Sequence, residues 1–238
     1  MEKLLKEGHH GVIAQFNAIQ AYKPKTVHIH HEIQQILNNH LPVFDKPHEL
    51  PPSRGEHYHS IALVPGAQPP IVHPYRYPFS KKNEIEKIIK ELLEGGIIRP
   101  NTSPYSSLVV MVLKKDGEWH MCPDFRALNK LTVKDKFPIL VVDYLLDELN
   151  GAQFFTKLDL RSGYHQICMK EVDIPKTAFR THESHYEFLV MSFGLCNSPS
   201  TFQSLMNHLL KPYLRKFVLV FFDDILIYSH TWAAHLSM

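Results

Sequence analysis

The hydrophobic and polar positions of this chain change period several times, and each change marks a boundary. Residues 1–22 carry a loose helical spacing (Leu4, Leu5, Val12, Ile13, Phe16, Ile19) interrupted by Gly8 and Gly11. Residues 30–41 repeat more cleanly, with Ile33, Ile36, Leu37 and Leu41 on one stripe, and predict a short amphipathic helix ending at Pro42. From Pro42 to Pro78 prolines recur every few residues, which predicts an extended wrapping or linking segment without a core of its own. A second amphipathic helix is expected over 81–94, with Ile85, Ile88, Ile89, Leu92 and Leu93 on its apolar face, Ser80 as its cap and Gly95-Gly96 as its stop.

Beyond Gly96 the period shortens toward two. Leu108–Leu113 reads as a strand, Lys114-Lys115-Asp116-Gly117 as an Asp-Gly turn, and Glu118–Pro123 as the returning strand. Pro123 lacks an N–H, so that strand must be an edge or end early. A short acidic helix follows over 143–150, then a strand over Phe154–Leu160 and a strand pair near 177–180 and 186–191. A helix opening at Ser198-Pro199 runs to about Leu210, and a last hairpin closes the series. Helices and strands mix without strict alternation, which predicts an α+β fold.

Composition narrows the class only a little. The chain has 238 residues, 44% of them hydrophobic, enough for a sizeable core, and a formal net charge of +2. Charge is local instead: Arg76 to Lys136 holds 12 Lys or Arg against 8 Asp or Glu. Cys122, Cys168 and Cys196 are far apart and form no C-x-x-C, so reduced thiols are expected, not a zinc ribbon or a disulfide framework. The histidine clusters at His28, His30 and His31 and at His57 and His59 have no closed-site ligand pattern. No apolar run is long enough to span a bilayer, and no membrane partner is expected.

The candidate chemistry lies in F-V-L-V-F-F-D-D-I-L-I-Y, residues 217–228, where Asp223 and Asp224 interrupt an apolar and aromatic run. Two carboxylates about 4 Å apart repel by roughly 4 kcal/mol at an effective dielectric near 20. The run reads as two short buried strands with the acidic pair buried at the bend between them, and burial adds a desolvation cost, so the pair calls for cations or protons. Divalent metal is the simplest partner, and an ordinary Asp-Asp hairpin turn is the plain alternative. Asp159, at the end of the Phe154–Leu160 strand, is the candidate third carboxylate.

Several blocks, in order, resemble the reverse transcriptase of gypsy-type LTR retrotransposon polyproteins. They are K-K-D-G-E-W (114–119), D-F-R-A-L-N-K (124–130), L-L-D-E-L-N-G-A (145–152), L-D-L-R-S-G-Y-H-Q-I (158–167), K-T-A-F-R-T (176–181), F-G-L-C-N-S-P-S-T-F-Q-S-L-M-N (193–207) and F-F-D-D-I-L-I-Y-S (221–229). The resemblance implies a right-hand polymerase fold with fingers and a mainly antiparallel palm sheet over 71–238, preceded by a protease-to-polymerase connector over 1–70. It implies that Asp159, Asp223 and Asp224 hold two Mg²⁺, with Mn²⁺ able to substitute. The partners it implies are deoxynucleoside triphosphates and a primed RNA or DNA template. Lys114 and His120 would face the triphosphate, and Tyr164 would be the steric gate under the sugar. Phe193, Gly194 and Gln203 would shape the nucleotide pocket, and Arg126 would brace the fingers.

Some positions depart from the family pattern. His120 stands where arginine is usual, and an arginine–phosphate bond is worth roughly 1.5–3 kcal/mol. Pro123 replaces a valine, Leu108, Leu140 and Ser192 replace prolines, and Ser184 replaces a turn glycine, which is costly if φ is positive there. The chain ends at Met238, before the thumb, ribonuclease H and integrase that the resemblance places downstream. Weak or absent polymerase activity is therefore expected, with a non-catalytic fragment binding nucleic acid or a protein as the rival reading. A metal-dependent nuclease shares the carboxylates but needs neither a Lys114 hairpin nor a Tyr164 gate.

Overall fold

The computed structural model describes residues 13–16, 30–45, 49–72, 77–113, 117, 119–138 and 142–238. The Lys114–Asp116 turn of the first hairpin and Leu140 lie outside them. The chain divides into two compact units, each assembled from separate segments.

The first unit comprises residues 1–46, 138–161 and 203–238. Its sheet has the order β1-β5-β9-β8, from β1 (Ile13–Phe16), β5 (Phe154–Asp159), β8 (Val218–Phe221) and β9 (Asp224–Ser229). β5, β9 and β8 pair antiparallel, and β1 lies parallel to β5 with Ile13 opposite Phe155. The helical spacing around residues 13–16 does not produce a helix. Gly8 and Gly11 weaken local helix formation, and the open edge of β5 supplies hydrogen bonds that a four-residue segment can use at once.

Val218, Leu219 and Val220 are consecutive and all buried, as expected of a strand covered on both faces. Leu219 and Tyr228 pack with Leu145 and Ala152 from the region of the helix Val142–Asp147. Helix α1 (His31–Asn39) forms as its stripe predicts, but Pro42 opens a short 3₁₀ turn (Leu41–Phe44) where the helix was expected to stop. Glu32 accepts a hydrogen bond from the indole of Trp232, on the helix Trp232–Leu236, at 3.0 Å.

The second unit comprises residues 47–137 and 162–202. Helix α2 (Phe79–Glu94) lays Ile85 and Ile89 onto a core of Ile98, Val109, Met111, Met121, Phe179 and Phe188. It starts two residues before the expected point, at Phe79, with Pro78 preceding it. Ser80 is therefore inside the first turn and does not cap. Around this core lie the hairpin of β3 (Leu108–Leu113) and β4 (Trp119–Asp124) and a three-stranded sheet ordered β2-β7-β6. The latter is built from β2 (Ile98–Pro100), β6 (Phe179–Arg180) and β7 (His185–Phe188).

Pro123 faces Val109 in a sheet of two strands, where both strands are edges and a missing N–H costs little. The Pro-rich segment joins this unit rather than linking: Ile61 and His59 are buried, and His59 and Leu63 form bridges to Met169 and Thr132. Ser184 does not adopt a positive φ. Its turn is held by Thr181, whose hydroxyl accepts the Ser184 N–H, so the glycine is not required.

Buried acids in this unit are paired. Arg99 and Asn101 donate to Glu187 at 2.7 and 2.6 Å, and Lys176 and the Ile61 N–H donate to Asp173. No helix among the described residues is long and apolar enough to cross a membrane.

Candidate active site

In the first unit, strand register sets the site. β5 and β9 pair from Phe154 opposite Ser229 to Asp159 opposite Asp224, so these two aspartates face each other at the end of the ladder. Directly opposed residues have Cα atoms about 4.5–5.5 Å apart, which brings both carboxylates to one edge of the sheet. Asp223 precedes β9 in the turn, where Phe222 adopts a left-handed φ of 54°. Gln203 holds that turn. Its Oε1 accepts the Phe222 N–H at 2.8 Å, and its Nε2 donates to the Val220 carbonyl and to Asn207. The side-chain amide of Gln203 thus serves the aspartate hairpin.

The expectation of a buried acid pair is corrected here. Asp159 and Asp223 are exposed and Asp224 is half-buried, because the apolar run ends its burial at Val220 and the turn leaves the core. One cation is already present. Lys157, two residues before Asp159 and so on the same sheet face, places Nζ 2.7 Å from Asp224 Oδ1.

Among the described residues, the three-ligand cluster with all donor atoms within 4.8 Å is Glu86, His182 and Glu183, on the second unit, not the aspartates. The aspartate set nonetheless fits a hard divalent ion. Its donors are all carboxylate oxygens, two of the three side chains are exposed to solvent, and Mg²⁺ sites are completed by waters and substrate phosphates more often than by a full protein cage.

In the second unit, Tyr164, in a 3₁₀ turn (Gly163–Gln166), stacks on Phe193 at 4.6 Å and tilts against buried Phe202 at 5.2 Å. His165 meets Phe193 edge-on at 5.8 Å, and His120, on β4, does so at 6.4 Å. Burial, with His120 nearby, lowers the His165 pKa to about 4, so its imidazole is neutral at pH 7.

Gly194 needs its lack of a side chain. Its φ is +89°, and a Cβ would lie 3.4 Å from the Pro123 carbonyl. Two asparagines strap this loop. Asn129 donates to the Gly194 carbonyl at 2.7 Å and accepts the Cys196 N–H at 3.0 Å. Asn197 donates to the Val133 carbonyl at 2.9 Å and accepts the Asp135 N–H at 3.1 Å. Arg126 makes a bidentate pair with Asp124, at 2.8 and 2.6 Å, and those hydrogen bonds hold the Asp124 carboxyl below its ordinary range. Lys114 lies outside the described residues.

Sequence reasoning missed Lys157, His165 and the two asparagine straps. Alternation on β5 could have flagged Lys157. The straps join residues more than 60 positions apart and leave no local pattern.

A mainly antiparallel sheet with aspartates on adjacent strand ends is the arrangement of the palm of right-hand nucleotide polymerase folds. Residues 112–238 match the model of the reverse transcriptase (RNA-dependent DNA polymerase) family, and the chain belongs to that family. It is 41% identical over 211 residues to the retrovirus-related Pol polyprotein from transposon opus of Drosophila melanogaster, covering 85% of this chain and 21% of that protein. It is 51% identical over 109 residues to an RNA-directed DNA polymerase homolog of Oenothera berteroana, covering 46% of this chain and 77% of that protein. Among solved structures it is similar to a foamy viral protease-reverse transcriptase in complex with double-stranded DNA, with a TM-score of 0.77 and 24% identity, over 88% of this chain and 37% of that one. The chain spans about a fifth of the length of the opus polyprotein. The family works with divalent metal ions.

Proposed function

We propose that this chain is the fingers-and-palm part of an RNA-directed DNA polymerase, residues 71–238, preceded over 1–70 by a connector that packs onto it, through β1 in the first unit and the His59–Leu63 bridges in the second. In this reading it adds deoxynucleotides to the 3′ end of a primer on an RNA or DNA template. The observation that carries the reading is the register that sets Asp159 opposite Asp224, with Asp223 in the adjoining turn. Two Mg²⁺ held by these three carboxylates, with Mn²⁺ able to substitute, would activate the 3′-hydroxyl and neutralise the triphosphate.

The remaining roles fall to the chain's own groups. Tyr164, backed by Phe193 and Phe202, is a stiff ring suited to reject a 2′-hydroxyl by bulk. Gly194, next to Phe193, holds the positive φ that its loop requires, and Gln203 fixes the turn that carries Asp223. Lys114 and His120 supply triphosphate contacts. Histidine is a weaker phosphate ligand than arginine, which predicts a raised KM for nucleotide.

The test is primer extension on poly(rA)·oligo(dT) with Mg²⁺ and dTTP, comparing this chain with Asp223→Asn/Asp224→Asn. Extension by the unsubstituted chain alone supports the reading. Extension that survives the double substitution overturns the assignment of the aspartates. Salt-dependent template binding without extension by either favours the non-catalytic reading.

A further inference from the structure

The Lys157–Asp224 contact is the most unusual feature of the aspartate site. The pair joins adjacent strands, with Nζ 2.7 Å from Oδ1 and side-chain exposures of 23% and 47%. Lys157 sits opposite Leu226 and Asp159 opposite Asp224, so the lysine reaches diagonally, one pair along the ladder, toward the strand end. The lysine side chain is mostly covered while its ammonium stands at the Asp224 carboxylate, which limits the positions the charge can take. The lysine therefore supplies one positive charge to an edge carrying three negative ones.

We propose that Lys157 is a positioning residue, the built-in counter-cation of the aspartate site: it holds Asp224 and competes with divalent metal for that carboxylate. The inference rests on the reading of Asp159, Asp223 and Asp224 as a metal site. Oδ1 of Asp224 cannot give its full charge to both the ammonium and a divalent ion, so loading the metal must loosen the pair. Lys157 thereby weakens metal affinity and keeps the carboxylates ordered before loading. A lysine serving only the packing of β5 would leave metal affinity unchanged when replaced by an uncharged side chain of similar length.

The experiment is Mn²⁺ titration of the full chain, followed by electron paramagnetic resonance, with thermal melts in EDTA as a check on folding. Lys157→Met is expected to tighten Mn²⁺ binding about two- to fivefold, the range of a partly exposed ion pair. Lys157→Arg is expected to stay near the unsubstituted chain. In an Asp224→Asn background, Lys157→Met is expected to change affinity little, because its partner is gone. Lys157→Gln repeats the comparison if the methionine variant melts below the assay temperature. Unchanged or weaker binding in folded Lys157→Met overturns the inference, provided binding by the unsubstituted chain is lost in Asp159→Asn. Binding insensitive to Asp159→Asn overturns the metal site and the inference together.

Discussion

At the β5–β9 end of the first unit, the candidate site side chains are placed by backbone register and stand largely in water. Around Phe193 in the second unit they are placed by packing, with ring against ring and a loop strapped by asparagines. A register-built site depends on strands that the core fixes elsewhere, so its side chains can change without loosening the fold. A packing-built site shares its atoms with the core, so a change there is felt as stability and geometry at once.

That contrast can be tested from its strongest prediction downward. Asp159→Asn should lower extension about a thousandfold or more, on the order of 4 kcal/mol of metal-assisted stabilisation, while the thermal midpoint stays within about 2 °C. A fall of many degrees would show that Asp159 is structural. Phe179→Ala, in contrast, empties a fully buried site in the second unit and should cost about 3–5 kcal/mol in denaturant unfolding.

Acid should act on the second unit through two buried histidines. Burial lowers the pKa of both His59 and His165 to about 4. A depressed folded-state value means the unfolded chain binds the proton first. Stability is therefore full above an unfolded pKa of about 6.5 and falls as pH drops toward 4, by up to about 1.4 kcal/mol per pH unit per histidine. Urea midpoints at several pH values measure the slope, and His165→Leu should remove about half of it. The smallest effect belongs to the straps. Asn129→Ala gives up two hydrogen bonds to the Gly194–Cys196 backbone and should cost about 1–2 kcal/mol, seen as a small loss in melting temperature.

The legible parts of the sequence were those set by local rules. The stripe of α2, the strand Leu108–Leu113, the Ser198-Pro199 helix start and the aspartate hairpin all follow from period and turn chemistry. The place of Asp159 at a strand end is legible because a strand rich in Phe and Leu ends there. What escaped depends on partners distant in sequence. β1 forms because an edge is available at β5, and Asn129 matters because Gly194 lies beside it. The exposure of Asp223 is not legible in the sequence, because its apolar neighbours resemble continuous cover. In fact the chain reverses at Phe222 in a left-handed conformation and carries the acids out of the core.

The interleaving of the two units has a consequence for the order of synthesis. The second unit's own residues end at 202, within the helix Ser198–Leu209, whereas the first waits for β8 and β9, which follow residue 217. A chain leaving the ribosome can therefore assemble most of the second unit while β5, already made, still lacks its antiparallel neighbour. During that interval the apolar edge of β5 is open, and β1, made far earlier, is the strand at hand to cover one side of it. An early guard for a late-completed sheet is thus written into the connectivity of the chain.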